Sequence, residues 1–386
     1  MSLPRISVIL PVRDEARCIG RLLDQLLQQT YPAECYEILV VDGRSTDVTR
    51  EVVQAKAKES AVSIQVVDNP GIRSGAGRNA GIAVATGEII LFIDGHCEIP
   101  SVRLLEDTAL LLKETGADCL CRPQPLIAFS PRGVGRVIAD ARASTLGHGR
   151  DSLIYDMTHT GFVHPASSGA TYRRTIFDHV GVYDESFDAC EDVEFNTRVA
   201  AAGYKAYTDP RLAVYYEPRR SFSGLLHQML RYGVGRVRLA RKHPGSASLS
   251  QWAPAVLLAV LAVGAASSLV AILATNWIVI AIAAALAAPF ALFLLLTVVA
   301  SLDLGRRHGW RHLALGPIAY FSVYIGLGAG MWAELFRRRP ISQNSSKPVL
   351  QASSPRVDDI PSARNFSSQN PSTPTGIADL SQELRK

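Results

Sequence analysis

Four short stretches place acidic or polar side chains where they could bind a ligand or move a proton. They are Pro11–Glu15 (PVRDE), Asp42–Asp47 (DGRSTD), Asp94–His96 (DGH) and Glu191-Asp192. Any one aspartate after an apolar run is more often a turn residue or a helix cap. Three of the clusters each follow an apolar run, and three in register favour a site.

The apolar runs are the elements that must hold those clusters. Ile6–Leu10, Glu37–Val41, Val62–Val67 and Glu88–Ile93 read as buried strands. Between them, Glu15–Gln29 repeats apolar residues at helical spacing, Asp47 precedes a helix carrying Val48, Val52 and Val53, and Ala76–Ala85 reads as a third helix. This rhythm predicts an α/β fold, a mostly parallel sheet with helices on both faces. Ligands of such sheets bind beyond the carboxyl ends of the strands, so the first three clusters are expected to share one rim.

Composition divides the chain of 386 residues. Residues 1–217 mix charge and apolar runs like a globular domain, and 218–243 reads as an amphipathic helix on a membrane surface. Pro244–Leu302 contains no Asp, Glu, Lys or Arg. Within the transmembrane region 244–339, Ala253–Ala274 and Trp277–Ala300 are each long enough to span a bilayer core and form a hairpin. Basic residues flank both ends of the hairpin, which places both ends in the cytoplasm. A third apolar segment, 313–336, is broken by Gly316, Pro317, Gly326, Gly328 and Gly330 and is left open between spanning and re-entrant. Residues 340–386 read as a disordered tail. The net charge of +5 is too small for a nucleic-acid footprint. Six scattered cysteines fit reduced thiols, and no signal peptide is seen at the front of the chain.

The segments PVRDEA, VDGRSTD, GRNAG, DGH, ED and QMLRY stand in the order and spacing of family 2 glycosyltransferases. DGHCEIP with a late RYGVGR and C-terminal membrane segments is most similar to the succinoglycan-type exopolysaccharide enzymes. The resemblance implies a GT-A fold and an inverting transfer from a nucleotide sugar. Departure of the diphosphate calls for a divalent cation with hard ligands, Mn²⁺ or Mg²⁺. Asp94 and His96 are the expected metal ligands, with histidine where the family usually has a second aspartate; substrate contact is the alternative for His96. Pro11, Arg13, Glu15, Asp42, Arg78, Asn79 and Asp94 are expected at the nucleotide sugar. Asp42 could accept from a uracil imide N–H, which favours a UDP-sugar. Helix capping is the plainer reading of Asn79.

Asp192 is the expected base, with Glu191 beside it as a rival. Gly169 belongs to an acceptor loop, and Gln228, Arg231 and Tyr232 are expected at the acceptor or the diphosphate. Arg231 reads equally as a lipid-phosphate contact. The expectation is a multi-pass inner or plasma membrane enzyme with a cytoplasmic catalytic domain. It would add sugar to a polyprenyl-linked saccharide in contact with membrane lipids and polysaccharide-assembly partners. A polyprenyl-phosphate sugar synthase and a non-catalytic nucleotide-binding scaffold are the alternatives.

Overall fold

A computed structural model describes residues 3–128, 133–148, 153–245 and 249–337; the tail 340–386 lies outside them. The first half runs β1 (Ile6–Val12), α1 (Ile19–Leu27), β2 (Tyr36–Asp42), α2 (Thr49–Glu59), β3 (Ser63–Asp68), α3 (Ser74–Val84), β4 (Ile89–Phe92), β5 (Cys97–Glu98), α4 (Leu104–Thr115) and β6 (Cys119–Cys121). Then come α5 (Val134–Ala143), α6 (Thr145–His148), β7 (Gly161–Val163), β8 (Gly169–Arg173), α7 (Thr175–Val180), α8 (Glu191–Ala201), β9 (Ala206–Thr208) and β10 (Tyr215–Tyr216). Four long helices follow: α9 (Phe222–Lys242), α10 (Ala253–Leu273), α11 (Trp277–His308) and α12 (Trp310–Phe336).

The main sheet has the order β3-β2-β1-β4-β8-β6-β9-β7. β3, β2, β1 and β4 are parallel, as the strand-helix rhythm predicts. β8 runs against both β4 and β6, so the far half is mixed. β1 and β2 are apolar along nearly their whole length because helices cover both faces. Ile19, Leu22, Leu23 and Leu104 pack on one side, and Ile82, Phe177 and Phe195 on the other. The strand order reverses between β1 and β4, which opens a crevice at their carboxyl ends.

α10, α11 and α12 are each long and apolar enough to cross a membrane. Ala274–Asn276 turns α10 into α11, with Asn276 Oδ1 accepting from the Ile278 N–H at 2.9 Å. α12 is one unbroken helix that includes Pro317, and it differs from its neighbours. Of its apolar window 44% is buried, against 11% for α11. Its glycines explain why. A side chain at Gly326 would meet Met229, one at Gly330 the Leu230 carbonyl of α9, and one at Gly328 Leu258 of α10. The apolar side of α9, expected against lipid, is instead covered by protein: Leu225 and Met229 pack with Val323 and Leu327 of α12 and Ile138 of α5, and Val237 with Met331.

Two glycines of α9 face different neighbours. A Cβ at Gly233 would collide with the Leu327 carbonyl of α12; one at Gly235 would lie 2.5 Å from the Ala189 carbonyl and 2.8 Å from the Cys190 thiol. Gly135, on α5, has nothing nearer than 3.7 Å. Gly235→Val is therefore expected to cost about 1–3 kcal/mol by overpacking, whereas Gly135→Ala is neutral or stabilising by up to about 1 kcal/mol. Thermal melts of both variants in detergent check the contrast.

Candidate active site

The crevice is built from loop to loop. Gly43 N–H donates to the Val12 carbonyl at 2.8 Å, Thr46 N–H to Asp14 at 2.7 Å and Glu15 N–H to Thr49 Oγ1 at 2.9 Å, so the loops after β1 and β2 are one unit. Asp14 and Arg44 take positive φ there (54° and 60°). Asp47 accepts from the Thr49 N–H at the start of α2 and from the Ala16 N–H. The loop after β4 joins them through His96, whose Nδ1 lies 2.8 Å from Glu15 Oε1. Gly95 permits this approach, since a Cβ there would fall 2.8 Å from Val12 and 3.0 Å from Glu15. The expected rim therefore forms.

The second half of the chain enters through Arg78. This α3 side chain is buried, with Nη1 2.7 Å from Glu191 Oε1 and Nη2 3.6 Å from Asp94 Oδ1. Burial works against its charge, but Glu191, Tyr183, Asp94 and Asp192 outweigh that and strengthen its hold on the proton. Phe92 and Tyr183 present their rings to the guanidinium at 5.8 and 5.3 Å. Glu191 and Asp192 open α8, directly after Cys190 in the left-handed region (φ 64°). A non-glycine residue held there is backbone strain of the kind found at functional sites. Asp192 is exposed to the crevice yet walled by protein. Desolvation first, and then Glu191, push its carboxyl up to about 6, while Arg78 pulls the other way.

α9 closes the remaining side. Gln228 Nε2 reaches the hydroxyls of Tyr216 at 3.4 Å and Tyr232 at 3.3 Å, and Tyr216 meets the His96 ring edge-on with centroids 4.7 Å apart. Arg231 pairs with Asp188 at 2.7 Å. Burial opposes the charged form of His96, but Tyr216, the Glu15 hydrogen bond and Asp94 hold the imidazole well above its usual range. Four buried polar atoms here have no partner: Arg78 Nε, His96 Nε2, Gln228 Oε1 and Arg142 Nη1. Groups left unsatisfied in one region are what a polar substrate would complete. Arg142, buried on α5 and 3.3 Å from the Tyr155 hydroxyl, was not among the residues expected from sequence, nor was Tyr216. Neither stands in a motif that could have singled it out.

Three of the expected residues have partners within the protein. Asp42 is buried, with Arg50 at 3.0 Å and the Ser45 N–H at 3.2 Å on its carboxylate, so it is engaged within the protein. Asn79 exchanges hydrogen bonds with the backbone of Tyr183 and donates to Glu185; it fixes the 183–185 segment and is not turned to a phosphate. The space a side chain at Gly169 would fill holds the Asn196 amide. Pro11 lies on β1 against Gly77, and Arg13 is half exposed beside Asp14.

Among the described residues no three His, Cys, Asp or Glu side chains form a closed metal site. Asp94, with its partly open carboxylate, and His96, whose unpartnered Nε2 coordinates only once its proton is displaced, fit two ligands of a cation completed by phosphate and water.

A glycosyl transferase family 2 model matches residues 7–181, and a glycosyl transferase family group 2 model matches 101–330. The chain is 31% identical over 342 residues to the succinoglycan biosynthesis protein ExoA of Rhizobium meliloti, covering 86% of this chain and 96% of that one. The chain is a family 2 glycosyltransferase. It is also 26% identical over 256 residues to a dolichyl N-acetyl-α-D-glucosaminyl phosphate 3-β-D-2,3-diacetamido-2,3-dideoxy-β-D-glucuronosyltransferase of Methanococcus voltae, over 61% of this chain and 74% of that one. The mannosyltransferase PcManGT of Pyrobaculum calidifontis, solved with GDP-Man and Mn²⁺, shares the GT-A fold: TM-score 0.56 at 21% identity, over 88% of this chain and 89% of that one.

With a carboxyl near pH 6 at the reaction centre, kcat/KM of this glycosyltransferase falls as pH drops through about 6. An ordinary aspartate would sustain the rate to about pH 4. Arg78→Gln removes the cation that opposes the shift, so the acid limb moves to higher pH. Initial-rate pH profiles of both proteins test this.

Proposed function

We propose that this glycosyltransferase moves a sugar from a nucleotide sugar to a lipid-linked saccharide in polysaccharide assembly, with inversion at the anomeric carbon. The observation that carries the reading is the convergence of Asp94, Glu191 and Asp192 on buried Arg78 beside α9. Asp192 takes the proton of the acceptor hydroxyl as its oxygen bonds to the anomeric carbon. The bond from that carbon to the diphosphate breaks on the opposite face. Arg78 holds Glu191 in place through their 2.7 Å ion pair, which leaves Asp192 as the carboxylate offered to the acceptor. Asp94 and His96 would hold Mn²⁺ or Mg²⁺, which supplies charge neutralisation for the departing diphosphate. Arg142 and Gln228 offer their unpartnered atoms to substrate oxygens.

The name of the Methanococcus voltae relative supports a lipid-linked acceptor, and that of ExoA supports polysaccharide biosynthesis. A UDP-sugar is the preferred donor on the uracil argument, although Asp42 would have to exchange its Ser45 contact to serve it. Purified enzyme in detergent, supplied with Mn²⁺ and labelled UDP- or GDP-sugars, is expected to label lipid. Asp192→Asn is expected to lower kcat by about 10²–10⁴ while calorimetric donor binding persists. Intact kcat in that variant would sink the assignment of the base.

The domain plan proposed is a cytoplasmic transferase over 1–217, an α9 joint over 218–243 and a membrane region over 244–339 in the inner or plasma membrane. α12 is tied near its start to the transferase, through His312 to Asp140 at 2.9 Å, and near its end to the α9 joint, through Glu334 to Arg238 at 3.0 Å. This favours α12 lying along the domain and α10–α11 crossing as a hairpin. Thr275→Cys is expected to react with an impermeant maleimide from outside the cell, and Arg337→Cys only after lysis. Labelling of Arg337→Cys from outside would make α12 a span.

A further inference from the structure

The end of α11, the start of α12 and the N-terminus of α5 line an open cavity of about 340 Å³, bordered by Arg136, His308, Arg311, His312, Trp310 and Gly133, with Val137 and Gly309. We infer that this cavity binds a phosphate group, and its setting points to the headgroup of an anionic phospholipid.

The wall is cationic. Arg136, Arg311, His308 and His312 line it together, and among the described residues Asp140 accepts from Arg136 Nε at 2.7 Å and lies 2.9 Å from His312 Nε2 and 4.0 Å from His308. Arg311 also stacks over the Trp310 ring at 5.9 Å. His312 is only 5% exposed, and its Nδ1 is buried without a partner. α5 adds a second, independent feature. It begins at Gly133 with no side-chain cap, so its first N–H groups and positive dipole end stand at the cavity wall.

The place of the cavity argues for a lipid. It follows the exposed apolar side of α11, which ends at Leu302, and is flanked by Trp310 (74% exposed) and Leu313 (41% exposed). Basic residues and a tryptophan at the end of an apolar helix are the usual headgroup-level arrangement. The cavity is distinct from the catalytic crevice: Arg136 and Arg142 stand six residues apart on α5, about 9 Å along the helix axis. The inference does not depend on the sugar-transfer reading.

Full-length protein in neutral detergent would be titrated calorimetrically with dihexanoyl phosphatidylglycerol and, separately, with inorganic phosphate. One phosphatidylglycerol per chain is expected, weakened at least tenfold by His312→Gln and by Arg136→Gln. Arg136 is partly exposed, so its variant keeps the test informative if the His312 variant fails to fold. Tighter binding of the lipid than of inorganic phosphate identifies the headgroup. Equal binding of the two, lost in Arg136→Gln, supports the phosphate site and assigns it to free phosphate. Absence of binding by both, or binding indifferent to Arg136→Gln, overturns the inference. Nucleotide binding, measured in the same samples, stays unchanged in Arg136→Gln whichever way the lipid result falls.

Discussion

The site depends on one buried cation. Arg78 sits on a helix of the parallel half of the sheet and holds Glu191, at the start of α8, at 2.7 Å, with Asp94 at the crevice between them. Three carboxylates this near each other repel, and without a compensating charge at least one would stay protonated at neutral pH. A buried ion pair gives little net stability, but loss of one partner costs about 3–5 kcal/mol because the other charge is stranded. Arg78 thus does two jobs: it joins residues 113 positions apart, and it sets how readily Asp192 parts with its proton.

Much of this was legible in the sequence. The four parallel strands announced themselves as apolar runs, and the PVRDE, DGR and DGH clusters stood after them because the carboxyl ends of a parallel sheet face one way. Glu191 and Asp192 were read as a pair and do open a helix. What the sequence hid was which polar groups the protein uses for itself. Asp42, Asn79 and Gly169 carry the right residue types, yet Arg50, the Tyr183 backbone and the Asn196 amide occupy them. Such partners come from distant segments, and no local pattern reports them. Arg142 and Tyr216 were missed for the converse reason, as isolated residues brought in by tertiary packing alone.

The membrane-like helices divide in the same manner. Length and apolarity marked α10 and α11 as two long helices joined by a short turn, which the structure has, whereas the glycines of α12 looked like interruptions. They are contact points: Gly326 and Gly330 admit α9, and Gly328 admits α10. α9 passes that contact onward, since Gly233 meets α12 and Gly235 meets the strained turn at Cys190, two residues before Asp192.

That arrangement limits how the gene can be cut or recombined. A chain stopped after α9 would keep every reacting group but bare Leu225, Met229 and Val237, an adhesive stripe that invites precipitation. Transferase and anchor are therefore not interchangeable cassettes; a chimera swapping the last three helices must carry matching notches on both sides of the seam.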